Sequence, residues 1–332
     1  MSKITVIGST NMDLVVTVPR CPVAGETIFG SSFVTNPGGK GANQAVAVAR
    51  IGSEVTFITK LGKDGFGEQM RQHFMHEGIS PKHILTDAEA PTGTALITVE
   101  ERGENRIIVI SGANARLTEE DIEKAAEDIA ESDFVLTQLE IPLQTVEYIV
   151  EKTSARQQRL ILNPAPARPL PDSLLEKIFL ITPNETEAEL LTGIRVCDEE
   201  SALQAALWFR KKGVQQTVIT MGSQGAFVFT DDFQGMIPAF KVQAVDTTAA
   251  GDVFNGALTV ALAEGKSTVD AARFGCAASA LAVTRPGAQN SIPTRTEIDV
   301  LLRRERHRFL PDFPRISILS KFCIFPVLRQ LP

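Results

Sequence analysis

The sequence predicts an α/β protein: a three-layer fold on a largely parallel central sheet, with a small second β-sheet. Three observations predict it. From Thr118 onward, short apolar runs alternate with amphipathic helical stretches, the rhythm of βα units. The chain opens on the apolar run 4–8, closed by Gly8, as a buried first strand would be. And 332 residues with 43% hydrophobic and 22% charged side chains are an ordinary globular composition, long enough to bury a large core without disulfides or metals.

In chain order, the run 14–18 reads as a strand closed by Pro19. Residues 40–51 carry Ala and Val in a helical pattern with Gly52 as its stop. A strand at 55–60 and a helix at 66–77, ended by Gly78, follow. Residues 94–100 and 106–110 are β-rich and are joined by a turn at 101–105. Thr118 and Asp121 open an Ala/Glu-rich helix in capping-box style. A strand at 134–140 leads to a helix started by Pro142. Short strands follow at 160–163 and 179–182. A helix at 199–212 sits behind Asp198, strands at 217–221 and 226–230 come next, and helices at 253–264 and 269–283 close the pattern.

Segments 14–35 and 94–110 break the βα rhythm and read as the separate small sheet. Residues 107–110 are apolar on both faces. Either substrate and a second subunit cover them, or they are a strand buried in the main sheet. The main domain is expected over 1–302, with 303–332 as a weakly ordered extension. That tail holds seven basic and two acidic residues and four prolines, and leaves 26 basic against 38 acidic residues before it.

The net charge of −7 argues against a nucleic-acid binder held by phosphate contacts. One Trp and one Tyr leave few stacking platforms. Cys21, Cys197, Cys276 and Cys323 are scattered, which fits a reducing cytoplasm and gives no zinc framework. No apolar run reaches the roughly 18 residues of a membrane span, and the N-terminus lacks a signal peptide's apolar core.

Ligands of open α/β sheets sit beyond the carboxyl ends of the strands. The polar residues there are Asn11 and Asp13, Gln138 and Glu140, Asn184, Glu185 and Glu187, and Thr220, Gly222, Ser223 and Gly225. Singly, each reads as a loop or cap residue; together on one edge they exceed what loops require. Residues 36–44 (NPGGKGANQ) run into a helix with more glycines than a tight turn needs, and Asn43 lies in its first turn. Residues 246–252 (DTTAAGD) do the same. Small residues at a helix N-terminus leave N–H groups for an anion such as a transferring phosphate. Asp252 there is either a dipole-stabilising cap or a base taking a hydroxyl proton, and the adjoining anion hole favours the base.

Other signals carry less. Gly265-Lys266-Ser267 lacks the earlier glycine of a P-loop, and no G-x-G-x-x-G follows the first strand. His73 and His76 share a helix face without a third ligand and read as surface residues. Cys276 reads as core packing.

Residues 8–13 (GSTNMD), 38–45 (GGKGANQA), 184–187 (NETE), 220–225 (TMGSQG) and 246–252, in this order and spacing, resemble the signatures of the ribokinase-like carbohydrate kinases over about residues 3–302. The 38–45 run and 284–289 (TRPGAQ) point to the members that phosphorylate ribose. The resemblance implies ATP-dependent phosphorylation of D-ribose at O5, giving D-ribose 5-phosphate. It implies that Asn11, Asp13, Gly39, Lys40, Asn43 and Glu140 bind the sugar and that Asp252 is the general base. Ala249, Ala250, Gly251 and Asp252 would form the anion hole. Asn184, Thr220, Gly222, Gly225, Gly251 and Cys276 would line the nucleotide. Glu187 would position phosphate and Mg²⁺. An activating K⁺ would lie at Asp246, Thr248, Ala282, Arg285, Gly287 and Ser291. The small sheet would be a lid and a homodimer contact. Family members resembling this chain stop soon after Leu302, so the tail carries over no role. Other readings are a kinase for 2-deoxyribose, another furanose or a nucleoside, a non-catalytic sugar-binding regulator on the same fold, and, more distantly, a nicotinamide oxidoreductase.

Overall fold

The first strand, β1 (Lys3–Ile7), lies inside a nine-stranded sheet and is hydrogen-bonded on both edges. In this computed structural model residues 2–101 and 104–309 are described, with side chains to residue 305. Strands β2 (Asn11–Val18) and β3 (Ser32–Gly38) precede helix α1 (Lys40–Ile51); β4 (Glu54–Gly62), α2 (Gly65–His76) and β5 (Ile84–Asp87) follow. Next come β6 (Gly93–Glu100), β7 (Asn105–Ile110), α3 (Glu119–Glu123), α4 (Ala126–Ala130), β8 (Phe134–Thr137), α5 (Leu143–Ala155) and β9 (Arg159–Leu162). The second half holds α6 (Asp172–Leu175), β10 (Leu180–Ile181), α7 (Glu185–Thr192), α8 (Glu199–Lys211), β11 (Gln216–Thr220), β12 (Gly225–Phe229) and β13 (Gln234–Pro238). It closes with α9 (Ala250–Ala263), α10 (Thr268–Ala282) and α11 (Arg295–Phe309).

The main sheet runs β13-β12-β11-β10-β9-β8-β1-β4-β5. Its pairs are parallel from β5 to β11, and β12 alone runs against the others, pairing antiparallel with both β11 and β13. Alternate strand residues feed two separate cores, as the period of two requires. Val6, Leu136, Ile161 and Leu180 join the core under α1, α9 and α10. Ile7, Val135, Leu160 and Ile181 join the core under α5. Helices therefore cover both faces, which is why the strands read as short, wholly apolar runs. The chain leaves β1 towards β4 on one side and later returns to β8 on the other. The β1/β8 crevice is thus the topological switch point, where such sheets bind ligands.

The local signals that set α1 and its neighbours are visible. Gly52 adopts the left-handed conformation at the end of α1, and its N–H returns to the carbonyls of Ala49 and Val48. Gly256 lets α9 lie against α1, since a Cβ there would stand 2.6 Å from Cβ of Ala47. Thr118 and Asp121 make the expected capping box, but the Ala/Glu-rich helix after it is broken into α3 and α4. The Lys-Ala junction between them is not helical, so the uninterrupted helix expected there is corrected. The strand expected to reach Glu140 ends at Thr137, which leaves Gln138 and Glu140 on the loop above the sheet.

The small sheet runs β3-β2-β6-β7. Its strands come from the two segments that break the βα rhythm. Residues 107–110 form its edge, and every residue of β7 is exposed, so the reading as a strand inside the main sheet is excluded. Arg102 and Gly103 of the turn before β7 lie outside the described residues, as do Cys323 and the tail after Phe309. Helix α11 continues past residue 302 as far as Phe309. No helix among the described residues is long and apolar enough to cross a membrane.

Candidate active site

Polar side chains converge above the β1/β8 crevice because both strands end in them. After β1, the Ser9 hydroxyl donates to Glu140 Oε2 at 2.5 Å, and the Lys40 N–H reaches the same oxygen at 3.1 Å. The loop after β8 is in this way tied to the N-terminus of α1. Asn11 is buried, and its Oδ1 accepts from Asn114 Nδ2 at 2.8 Å. Two residues on, Asp13 lies against Gly38 of β3; a Cβ on Gly38 would stand 2.3 Å from the Asp13 carboxylate. That approach explains why the loop into α1 is built of glycine. Gly39 is the N-cap of α1.

Charge is concentrated here. Burial, then Glu140 and Asp252, push the Asp13 carboxyl up to about 7. Burial opposes the Lys40 charge, but Asp252, Glu140 and Glu187 outweigh it and hold the ammonium above its ordinary value. Lys40 is therefore the cation on which these carboxylates centre.

Asp252 sits in the first turn of α9 and is almost fully buried. Asn43 Nδ2 donates to its Oδ2 at 2.9 Å, and Gln44 Nε2 donates to its Oδ1 at 3.0 Å. Burial raises its pKa, against the pull of Lys40 and the two amides. Ala249, the residue before α9, has φ of 59°, a left-handed conformation unusual for alanine. It turns the chain into the first turn of α9. The Ala250 N–H donates to the Thr247 carbonyl, so it is not a free donor as expected. The N–H groups of Ala249, Gly251 and Asp252 have no partner within the described protein. The turn is held from behind by Asn255 Nδ2 on the Gly251 carbonyl and Ser279 Oγ on the Ala250 carbonyl.

Beyond β10, Asn184 and Glu187 cap α7 reciprocally. Asn184 Oδ1 accepts the Glu187 N–H at 2.8 Å, and Glu187 Oε2 accepts the Asn184 N–H at 2.9 Å. Burial raises the Glu187 pKa, partly offset by the Asn184 N–H and Lys40. Its electrostatic link to Lys40 and Asp252 places the α7 cap beside the same charged cluster. Thr220 bridges to Asn184 at the end of β11, and Gly222 and Gly225 form the tight turn into β12. Cys276 lies in the core of α10, where burial pushes its thiol up to about 12, so it packs rather than reacts.

At the edge of this site, Asp246 accepts from Thr248 N, Thr248 Oγ1 and Gly287 N, at 2.9, 2.6 and 2.8 Å. Burial opposes its charge, but these bonds hold the carboxyl below its usual range. Arg285 turns its side chain away to Glu297, and Ser291 Oγ donates to the Ala288 carbonyl. The Ala282 carbonyl accepts from the Arg285 N–H. Asp246 does not cap α9, whose N-cap is Ala249. The turn at Gly265-Lys266-Ser267 only joins α9 to α10, with Ser267 as a helix cap. His73 is not a plain surface residue: it is half-buried and bonds Gln289 Oε1 at 2.7 Å.

Several site residues went unnoticed in the sequence reading. Asn114, Asn163 and Asn255 each fix another member of the cluster through an amide. Asn163 follows β9 directly, and Asn255 stands three residues after Asp252 in α9; both positions were signals of placement at the sheet edge.

Comparison with known proteins decides the family. A model of the pfkB family carbohydrate kinases matches residues 1–295. The chain belongs to this family. This carbohydrate kinase is 49% identical over 294 residues to a ribokinase of Haemophilus influenzae, covering 89% of this chain and 96% of the relative. It is 43% identical over 300 residues to a ribokinase of Staphylococcus aureus, with 90% and 99% covered. A structure of Arabidopsis thaliana ribokinase complexed with ribose and ATP superposes with a TM-score of 0.86 at 33% identity, covering 91% of this chain and 99% of that one. The resemblance carried by the five motifs is borne out. A sugar kinase that uses ATP works on a divalent-metal nucleotide complex, so a metal such as Mg²⁺ is part of its reaction.

Proposed function

We propose that this kinase transfers the γ-phosphoryl group of ATP to O5 of D-ribose. One observation carries the reading: the buried Asp252 carboxylate, oriented by two amides, stands beside the unpartnered N–H groups of Gly251 and of its own backbone. Ligand binding alone needs no such pairing of a base with an anion hole. The likeness to ribokinases, one of them complexed with ribose and ATP, supports ribose as the sugar.

Asn11, Asp13, Asn43, Glu140 and the backbone of Gly39 hold the sugar, with Lys40 balancing the carboxylates. A half-buried, uncompensated Asp13 is costly, and vicinal hydroxyls supply the donors it lacks. Asp252 takes the proton of the 5-hydroxyl as O5 bonds to the γ-phosphorus and the bond to the ADP oxygen breaks. The proton then leaves to water with the product. The N–H groups of Ala249, Gly251 and Asp252 face the charge on the phosphoryl oxygens. Asn184 and Glu187 hold the phosphate and metal end, and Thr220 to Gly225, with Cys276, border the nucleotide. Mg²⁺, when bound, would supply positive charge to offset that of the transferring phosphate.

The Asp246 carboxylate is ionised, and the partners seen are all neutral donors. An ionised carboxylate whose partners are all neutral favours a nearby cation such as K⁺, with oxygens of Thr248, Ala282, Arg285, Gly287 and Ser291 completing its shell. The small sheet acts as a lid, and its exposed Ile107, Ile108, Val109, Phe33 and Val34 support a homodimer through it. Scattered thiols and ATP dependence support a cytoplasmic place.

The test is ATP consumption over a panel of ribose, 2-deoxyribose, fructose and nucleosides, with ³¹P NMR of the product. Ribose is expected to give the highest kcat/KM and a 5-phosphate. Preference for 2-deoxyribose or a nucleoside would replace the substrate, and sugar binding without turnover would replace the enzyme by a sugar-binding regulator.

A further inference from the structure

The amides behind Asp252 form a series with a single polarity. His73 Nε2 bonds Gln289 Oε1 at 2.7 Å, Gln289 Nε2 donates to Asn43 Oδ1 at 3.1 Å, and Asn43 Nδ2 donates to Asp252 Oδ2 at 2.9 Å. Gln289 turns its nitrogen to Asn43, so its oxygen faces His73, which must donate from Nε2–H. Reversing either amide would set a carbonyl oxygen against the carboxylate or one N–H against another. Gln289 is buried, and Arg50 Nη1 also pins its backbone carbonyl at 2.6 Å.

A second arm reaches the other carboxylate oxygen. Gln44, fully buried, gives one Nε2 hydrogen to Asp252 Oδ1 and the other to Asn163 Oδ1, both at 3.0 Å. Its Oε1 accepts from Gln138 Nε2 at 2.7 Å. Asn163 Nδ2 in turn bonds the Thr182 carbonyl, Thr182 Oγ1 donates to Asn255 Oδ1, and Asn255 holds the Gly251 carbonyl. The carboxylate and the turn that carries the anion-hole N–H groups are thus anchored to one network.

We propose that Gln44 and Gln289, with His73 fixing the polarity of the outer arm, are positioning residues for phosphoryl transfer: they lock the Asp252 carboxylate in one plane. The inference rests on the reading of Asp252 as the base. Each carboxylate oxygen receives one amide N–H, so rotation about Cβ–Cγ would break both bonds. The lone pair left on each oxygen then points in a fixed direction, and the sugar hydroxyl meets it without a search. When Asp252 takes the proton, the amide bonds stay in place, because they occupy the other lone pairs. A reacting group displaced by about 1 Å can lose on the order of 100-fold in rate.

The test compares Gln289→Met, His73→Leu and His73→Gln with the unmutated kinase. Gln289→Met keeps the side-chain length and removes both polar ends. Its kcat is expected to fall about tenfold while KM for ATP stays within about twofold. His73→Leu should show a smaller loss of the same kind, and His73→Gln, which keeps an N–H donor, should recover it. Full kcat in Gln289→Met, or His73→Gln as slow as His73→Leu, would overturn the assignment. A loss that falls equally on kcat and on KM for ATP would overturn it too, as general damage. Side-chain amide exchange by NMR in the unmutated protein needs no turnover. Slow exchange at Asn43 and Gln289 is expected; exchange at the solvent rate would show that the series does not exist in solution. If no sugar in the panel is phosphorylated, the functional reading fails while this exchange measurement still decides the series.

Discussion

The Gly287 N–H donates to Asp246 Oδ2 at 2.8 Å, joining the loop before α9 to the turn after α10. The same carboxylate also takes the N–H and hydroxyl of Thr248. One ionised side chain therefore sets the spacing of two loops, and one of them carries the N–H groups proposed to form the anion hole.

A weakly hydrated cation at Asp246 would stiffen that spacing without touching substrate. Turnover at fixed ionic strength should rank K⁺ above Na⁺ above tetramethylammonium, and Asp246→Asn should flatten the ranking. Equal rates in all three salts would leave Asp246 as a loop tie alone.

Asp252→Asn keeps the shape of the side chain and removes the proposed base. Its kcat should drop by roughly 10²–10⁴-fold while sugar binding, read by calorimetry, persists. Near-normal turnover would remove Asp252 from proton transfer.

Asp13 gives a pH dependence of stability. Its carboxyl is pushed from the ordinary 3.8 up to about 7, first by burial and then by Glu140 and Asp252. Between those values the folded state holds a proton that the unfolded state has lost, so stability falls as pH rises through that window. The sugar-free kinase should lose melting temperature from pH 4.5 to 7.5 relative to Asp13→Asn, which has no carboxyl to ionise. Parallel melting curves for the two proteins across that range would contradict the shift.

The lid sheet predicts a dimer that charge can split. Ile108 is 63% exposed on the edge strand β7. Ile108→Lys should move the sedimentation peak towards monomer with little change in melting temperature, because most of the side chain is exposed within its own subunit. A monomer before mutation would refute the contact.

What the sequence made legible followed from local physics. The helix at Lys40–Ile51 and its Gly52 stop need only periodicity and a left-handed cap, and they were found to the residue. The Asn184–Glu187 pair was visible as a site signal, yet its reciprocal cap is equally a local rule. By contrast, β5 was missed: four residues after a tight turn carry too little pattern, and pairing with β4 alone defines them. The edge strand β13 and helix α11 were missed too, one a short run containing glycine, the other largely charged. In the site, carboxylates and glycines announced themselves through spacing. Asn11, Asn43, Gln138 and Asn184 did too, but the links among the amides did not, because Gln44 and Asp252, or Asn43 and Gln289, stand more than 200 residues apart and meet only through the fold.

Strand β2 starts at Asn11 in the polar floor of the site and runs to Val18, paired with β3 on one edge and β6 on the other. A strand held on both edges tilts as a rod rather than bending residue by residue. The two side chains proposed to grip the sugar, Asn11 and Asp13, sit at the pivot end of that rod, and the exposed apolar edge lies along the sheet it belongs to. Rocking of the small sheet would thus release both sugar contacts in the same instant. On the proposed sugar site, affinity for the sugar and the angle of the sheet would become a single mechanical coordinate, which a load on the outer strands could turn like a handle.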